Sequence, residues 1–591
     1  MLKNKTAQVA SKTTVNLHNS HGIIGSVIAE LSRTEAVDEI TSGSGVYCKR
    51  IGIRTEIDVN GQAEEVEMIM AFPQAVPYQL PDFFFLDTKY DPLPHLGFND
   101  RKMCLFESGV VHRVNDYVQL SLQCFHKAKQ LLTLGANKKN YEDFKNEIDS
   151  YWRYSYNGEA HVQSNWLFVG ALPCQTTPIK IWQIDKWNDY KERQKIVFTE
   201  NDEGSAFIKY IEKHYSVREY EGLFVCSYSV PNQPPYDLCF KEFVDCVTND
   251  DDKISIKRFV NKQIGGCILF PLGGVGAFGG VVLAGVKTNR NGWRAGSRTA
   301  YDVLTRFEQK SAKIARIMGK VYSDQRIAER TKGELMEHTA VGIAGLGSVG
   351  SNLCQFLAGH NNMSFALMDP DVLTVDNIGR HLLGFQYIGM NKAKAIAEHL
   401  MSIRPDYQIK TYDNDIEYVV LNEVRDLNSL NALFICTGDY MCEKFVADQL
   451  FNGILNIPVF VLWLEPFAIA GHLLFYNPQD LDGMSGLFDE DGFYVNNIIT
   501  KEEYVNDSER FVKRVAGCNG SYALYSGNDV LLFLSAIYPY IVSLISNPCK
   551  STCLRWLGNV QIIKEQNITT NTFTQNSGTV VQLDSTKRTS S

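Results

Sequence analysis

The chain has 591 residues, 45% of them hydrophobic and 21% charged, enough for roughly three or four domains of about 150 residues each. A net charge of -9 argues against a nucleic-acid binder, because phosphate neutralisation needs concentrated Lys and Arg. No basic segment followed by an apolar one opens the chain. The longest apolar run, 530–545, carries Pro539 and falls short of the ~20 residues of a membrane span, so a buried helix and no membrane partner are expected.

Residues 1–160 read as an α+β domain. A strand at 64–71 precedes a proline-punctuated stretch at 72–94, and helices follow at 115–132 and 140–154. Residues 161–320 form a mixed middle domain with β-type runs at 166–171 and 179–184 and a helix at 206–215 between later runs. From 321 to 591 strands and helices alternate: strands at 340–344, 364–368, 432–436 and 458–462, helices at 391–402 and 441–452. That alternation predicts an α/β, doubly wound, Rossmann-like parallel sheet. The Ser-, Thr-, Asn- and Gln-rich tail after Gln566 is left open between an edge strand and a segment outside the core. The 14 cysteines lack both a disulfide framework and paired CxxC knuckles. A reducing cytoplasm is expected, where each thiol is core filler or a nucleophile.

Gly345, Gly347 and Gly350 form a GxGxxG loop between a buried strand and a helix, where the backbone can approach a phosphate and the helix N-terminus offers unpaired N–H groups. Asp369 ends the next strand, in place for a ribose diol. Alone, these features fit a dinucleotide dehydrogenase. Asp371, Asn377, Arg380 and Lys392 follow, and hydride transfer needs no such cluster. Activation of a carboxylate by ATP does, since the α-phosphate and the departing pyrophosphate develop negative charge that cations and Mg²⁺ stabilise. Asp439, in Thr437-Gly438-Asp439 after another strand, is placed to hold the metal.

This spacing resembles the ThiF, MoeB and ubiquitin-activating family: a glycine loop, DxD, NxxR, a downstream Lys and a later Asp. The resemblance implies that Asp369 binds ribose, that Asn377, Arg380 and Lys392 bind phosphates, and that Asp439 supports Mg²⁺ and catalysis. The family has Thr-Asp where this chain has Thr-Gly-Asp. It also implies a homodimer in which an N-terminal arginine reaches across, a place occupied by Arg326 and Arg330. A second GxGxxG, from Gly274 to Gly279, leads into a strand-like run and lacks a downstream acid, so a glycine-rich turn or barrel corner is expected there.

Two thiols stand out. Cys518 lies in Gly517-Cys518-Asn519-Gly520, just before a helix expected at 522–545 whose dipole would stabilise a thiolate. The polar stretch before it, 477–515, resembles the crossover loop that carries the catalytic cysteine in activating enzymes; Cys549 and Cys553 are rivals. In the N-terminal domain, Phe72-Pro73, Pro77 and Pro81 resemble the proline-rich stretch of ubiquitin-conjugating enzymes, and His95 precedes Cys104 at the spacing of their HPN motif. Leu96 and Gly97 replace its Pro and Asn, as in bacterial conjugating-type domains, so the oxyanion needs another donor, a backbone N–H or Asn99. His95 is expected to be structural.

A conjugating-like domain at 1–160, a middle linker or docking domain at 161–320 and an adenylation domain at 321–591 together resemble the fused enzymes of bacterial CBASS antiphage operons. That resemblance implies ATP-dependent adenylation of the C-terminus of a cGAS/DncV-like nucleotidyltransferase, thioester relay through Cys518 and Cys104, and ligation to an amine of an acceptor protein. Two alternatives stay open: a sulfur-carrier adenylyltransferase of the ThiF/MoeB kind, or an adenylating enzyme whose N-terminal domain only binds. An NAD oxidoreductase is more distant.

Overall fold

The structure, a computed structural model, describes residues 20–583 except 41–44, 98, 107–112, 153–161, 186–192, 203, 233, 235–237, 263–265, 274–275, 284, 286–287, 289–293, 295, 297, 308–313, 332, 361, 515–520 and 574–575. The chain divides into two units, Met1–Asn201 with Ser216–Ser323, and Asp202–Tyr215 with Asp324–Ser591.

The first unit opens with a helix over 20–31 and an antiparallel sheet whose strands, Ala36–Glu39, Tyr47–Val59, Gln62–Pro73 and Asp82–Phe84, lie in chain order. Asn60 and Gly61, both at positive φ (53° and 84°), make the two-residue turn that fits the twist of the central hairpin. Alternation then decides the faces. Ile51, Ile53 and Ile57 are buried, whereas Arg54, Glu56 and Asp58 point to solvent. Helix Tyr117–Ala136 covers the apolar face with Cys124, Phe125, Ala128 and Leu132. The helix expected at 140–154 is two short turns, Asp143–Asn146 and Ile148–Tyr151. Glu147 between them leaves helical geometry (φ -107°, ψ 25°).

The middle stretch forms a closed barrel of seven strands: Val162–Val169, Thr177–Ile184, Gln194–Thr199, Val217–Phe224, Gly266–Pro271, Ala277–Leu283 and Ala315–Tyr322. Phe168, Phe224, Phe278 and Ile317 fill its interior. Closure removes sheet edges that would otherwise pair with other chains. Of the second GxGxxG, Gly274 and Val275 lie outside the described residues. Gly276 sits at φ 87° and leads straight into a barrel strand rather than a helix. The N-terminal part abuts the barrel through Phe144, Tyr151 and Trp152, which share a core with Phe243 and Phe270, and Trp152 Nε1 donates to the carbonyl of Ile317 at 2.8 Å.

The second unit holds an eight-stranded sheet in the order Gln408–Tyr412, Met363–Met368, Thr339–Ala344, Ala432–Ile435, Val459–Leu464, Ala470–Tyr476, Thr552–Leu557, Val580–Leu583. The first five strands are parallel and the last three antiparallel. Strand Ala432–Ile435 is buried at every position, as a strand covered on both faces must be. The tail supplies the edge strand. Helix Ala206–His214, sequentially within the barrel region, belongs to this unit, where Lys213 pairs with Glu398 at 3.1 Å.

Helix Gly527–Ser546 corrects one expectation. It begins at Gly527, capped by Ser526, and strand Ser521–Ala523 stands before it. The helix start expected at 522 therefore does not exist: the helix begins five residues later, at Gly527. At 20 residues this helix is long and apolar enough to cross a membrane by length and composition. Val530, Phe533, Leu534, Ile537, Ile541 and Leu544 nevertheless form one buried stripe at helical spacing, which packs in the sheet's core with Leu353 and Trp556.

Candidate active site

The glycine loop leaves the carboxyl end of strand Thr339–Ala344 and enters helix Ser348–Ala358. Gly345 sits at φ 81°, where a Cβ would lie 2.7 Å from the backbone of Cys436 and Thr437; a Cβ on Gly350 would lie 2.0 Å from the carbonyl of Gly345. Only glycine fits either place. Two side chains clamp the loop from both sides of Leu346. Asp369 Oδ2 accepts its N–H at 2.7 Å, and His381 Nε2 donates to its carbonyl at 2.8 Å. His381 Nδ1 accepts from the N–H of Leu383, so the ring is the neutral Nε2–H tautomer, and burial pulls its pKa down to about 4.

Asp369 also accepts the N–H of Asp371 at 2.9 Å, and each of its oxygens keeps acceptor capacity for a ribose hydroxyl. Burial raises its pKa, opposed by Lys392 at 3.8 Å. Lys392, itself buried, pairs with exposed Asp371 at 2.8 Å.

Gly347, Asn377, Arg380 and Lys392 line one cavity of about 500 Å³. Gly345, Gly350 and Asp369 shape the loop behind it. Arg380 Nη1 donates to the carbonyl of Ala523 at 3.0 Å, and its guanidinium lies 5.1 Å from the Tyr522 ring centre and 5.5 Å from that of Tyr525. Those aromatic faces hold the cation, whose other donors make no hydrogen bond among the described residues. Asn377 Oδ1 caps Thr374, accepting both its N–H and its hydroxyl. Asp439 caps helix Tyr440–Phe451, accepting from Met441 and Cys442 N–H. Its neighbours Gly438 and Tyr440 line the cavity, as does Glu443 one turn on. Glu443 is buried, and desolvation, then the charge of Asp439, pushes its pKa up to about 8.

Cys518 lies outside the described residues. The strands on either side, Val512–Arg514 and Ser521–Ala523, pair as a hairpin whose second strand brings Tyr522 and Ala523 to the cavity wall. The rivals lie elsewhere. Cys553 is fully buried, its thiol pushed up to about 11 by burial. Cys549 is exposed, three residues before Thr552, which pairs with Phe475 near the amino ends of the parallel strands. The glycine loop is at the opposite end, a strand length of roughly 17–20 Å away.

In the first unit Cys104 is exposed, and its N–H donates to the carbonyl of His95 at 2.7 Å. Leu96 bridges Met103, and Gly97 N–H donates to the carbonyl of Lys102, so the loop folds back and sets histidine and cysteine side by side in the backbone. A Cβ on Gly97 would fall 2.1 Å from Asp100 Oδ1, which is why the family's Asn has no room here without movement of Asp100. His95 Nε2 lies 3.0 Å from Asp143 and Nδ1 3.0 Å from Glu147. Two ionised carboxylates leave both ring nitrogens as donors, so the ring is an imidazolium with its pKa raised, by Glu147 first. It is an anchor and not a base for Cys104. Desolvation and then Glu147 raise the thiol's pKa, while Lys102 lowers it.

Residues 34–160 match prokaryotic E2 family B and residues 323–585 the ThiF family. The chain thus joins a stretch similar to prokaryotic E2 family B to a stretch similar to the ThiF family. Over 115 residues, 19% of each chain, it is 33% identical to an ATP-dependent ubiquitin transferase-like protein, Cap2, of Enterobacter hormaechei subsp. hoffmannii (strain UCI 50). Over 153 residues, 24% of this chain and 26% of the other, it is 27% identical to Cap2 of Pseudomonas aeruginosa (strain BWHPSA011 / Pa011). It is 28% identical to ubiquitin-like modifier-activating enzyme 5 of Drosophila simulans over 156 residues, 25% of this chain and 38% of that one. The matched stretches thus span between 19% and 38% of these relatives' length.

Proposed function

We propose that the protein adenylates the C-terminal carboxylate of a partner protein, relays the acyl group through two of its own cysteines and joins it to an amine. The observation that carries this reading is the convergence of Asn377, Arg380 and Lys392 on a glycine loop, in a cavity whose far wall is the hairpin flanking 515–520. A carboxylate oxygen attacks the α-phosphorus of ATP and pyrophosphate leaves. The Cys518 thiolate attacks the acyl-adenylate carbonyl and AMP leaves. Cys104 takes the acyl group by thioester exchange, and Cys518 recovers its thiolate. An amine, a lysine by resemblance, then attacks the Cys104 thioester and gives up its proton as the thiolate departs. Arg380 and Lys392 supply fixed positive charge where phosphate oxygens gain negative charge.

Mg²⁺ fits this donor set as an ion held chiefly by the phosphates. Among the described residues no cluster of three or more acidic, His or Cys side chains could cage a metal, and Asp439 offers one exposed carboxylate beside the cavity. Bound there, the ion would neutralise charge on the departing pyrophosphate. The resemblance of the domain order to fused CBASS enzymes supports a cGAS/DncV-like nucleotidyltransferase as the adenylated partner and a role in antiphage defence. A cytoplasmic homodimer belongs to the same reading; Leu531, Leu532 and Tyr540, exposed apolar residues of helix Gly527–Ser546, suit a subunit interface.

Exchange of labelled pyrophosphate into ATP, measured with and without the neighbouring nucleotidyltransferase, tests the first step. Exchange that requires the partner's free C-terminus supports the reading. NAD binding without exchange would overturn it.

A further inference from the structure

The seven-stranded barrel holds a cavity of about 500 Å³, lined by Trp166, Ile181, Lys195, Tyr220, Cys267 and Val282 among others. Ile181 and Val282 stand near the ends of their strands, and Lys195 and Cys267 are each the second residue of theirs. The cavity therefore occupies one mouth of the barrel, where barrels of this size hold one small ligand. Trp166, Ile181, Cys267 and Val282 belong to the apolar cluster that fills the interior, so most of the wall is apolar.

One cation breaks that wall. Lys195 stands opposite Trp166 on one neighbouring strand and opposite Gln183 on the other. Its Nζ donates to Gln163 Oε1 at 2.7 Å and lies 4.5 Å from the centre of the Trp166 ring. Both partners are uncharged, and among the described residues no carboxylate pairs with this ammonium. The acids nearby are engaged elsewhere. Glu219 and Glu221 also line the cavity, but they flank Tyr220 on the outer face of their strand, where Lys180 meets Glu219 at 3.5 Å and Lys262 meets Glu221 at 3.2 Å. Asp185 is taken by Arg218 at 2.7 Å and Arg193 at 3.3 Å. Cys267 brings no counter-charge either, since burial pushes its thiol up to about 11. Burial also draws the Lys195 pKa down. A cation set in an apolar wall without a counter-charge is costly, and an anion entering the cavity offsets that cost.

The cavity's composition selects among anions. Lys195 is the single cation that lines it among the described residues. A phosphate group carries more charge and three acceptor oxygens, which one ammonium does not satisfy. A carboxylate carries one charge and matches one ammonium. We propose that this mouth of the barrel binds a small monocarboxylate with an apolar body, its carboxylate on Lys195 and its body against Trp166, Ile181 and Val282.

Titration calorimetry of the full chain tests this, with 3-indolepropionate and octanoate as probes, each beside its primary amide. At least one acid should bind with a Kd below about 1 mM and its amide about tenfold more weakly, the loss of one charge-assisted hydrogen bond. Lys195→Met keeps the apolar stem and removes the charge, so acid and amide should then bind alike. Lys195→Arg should keep part of the preference for the acid. Val282→Trp, which fills the mouth, should weaken acid and amide together. Thermal melts check that each variant folds, and the two Lys195 variants decide the matter if Val282→Trp does not. The inference is overturned if neither acid binds the wild type, if acid and amide bind it equally, if the preference for the acid survives Lys195→Met, or if inorganic phosphate displaces the acid at equal concentration.

Discussion

The nucleotide cavity and the Cys104 loop handle charge in opposite senses. In the cavity, cations line the wall and their supports stand behind them. Lys392 is held by Asp369 and Asp371, and Arg380 by a carbonyl and two aromatic rings. Beside Cys104, His95 is turned inward to Asp143 and Glu147, and the charge the thiol feels most is negative. On the proposed reading, the first region stabilises an anion that builds up on a substrate. The raised pKa of the second region's thiol would matter only until a neutral thioester replaces it, a form that nearby carboxylates do not penalise.

The largest effect that would break this contrast lies in the cavity. Arg380→Ala or Lys392→Ala should lower pyrophosphate exchange by about 10²–10³-fold, whereas neutralising Lys102 beside Cys104 should leave exchange untouched. A smaller loss is expected for Asp369→Ala. It deprives the Leu346 and Asp371 N–H groups of their acceptor, which should cost roughly 1–3 kcal/mol in thermal or denaturant unfolding and weaken ATP binding.

The pH dependence of the His95 cluster comes next. Glu147 has a lowered pKa, so its contribution is present above its unfolded value and lost as pH falls through the folded one. His95 has a raised pKa, so its contribution is full below its unfolded value, about 6.5, and lost as pH rises through the folded one. The stability gap between wild type and His95→Gln should therefore peak between those limits and shrink on both sides; a flat gap from pH 4 to 9 would contradict the ion cluster. The smallest effect is on the thiol. Glu147→Gln should speed iodoacetamide labelling of Cys104 at pH 7.5, because the second-largest cause of its raised pKa is gone.

Much of the cavity was legible in the sequence because glycine spacing and strand–helix alternation are local signals. Asn377, Arg380 and Lys392 fall on three successive segments that such a fold must bring to one edge. His381, directly after Arg380, escaped notice because a lone histidine carries no pattern, yet it clamps the same loop as Asp369. Glu443 was invisible for another reason: its interest lies in its burial at the cavity wall, which depends on segments distant in sequence. The acid pair Asp143 and Glu147 has helical spacing and was readable as a surface feature, but the break at Glu147 was not. The barrel left little trace, since short β runs do not declare their closure. The helix start at 522 failed because Tyr522 to Tyr525 reads as apolar helix when isolated, while pairing with Val512–Arg514 makes it a strand and Ser526 supplies the real cap.

The most direct test of the relay mixes the protein with ATP, Mg²⁺ and the neighbouring nucleotidyltransferase and resolves the products on non-reducing gels, for wild type, Cys104→Ala and Cys518→Ala. The account predicts thiol-sensitive adducts in wild type, none in Cys518→Ala, and in Cys104→Ala a persistent adduct on Cys518 with no amide product. An amide product that survives Cys104→Ala, or exchange without any adduct in wild type, would contradict it.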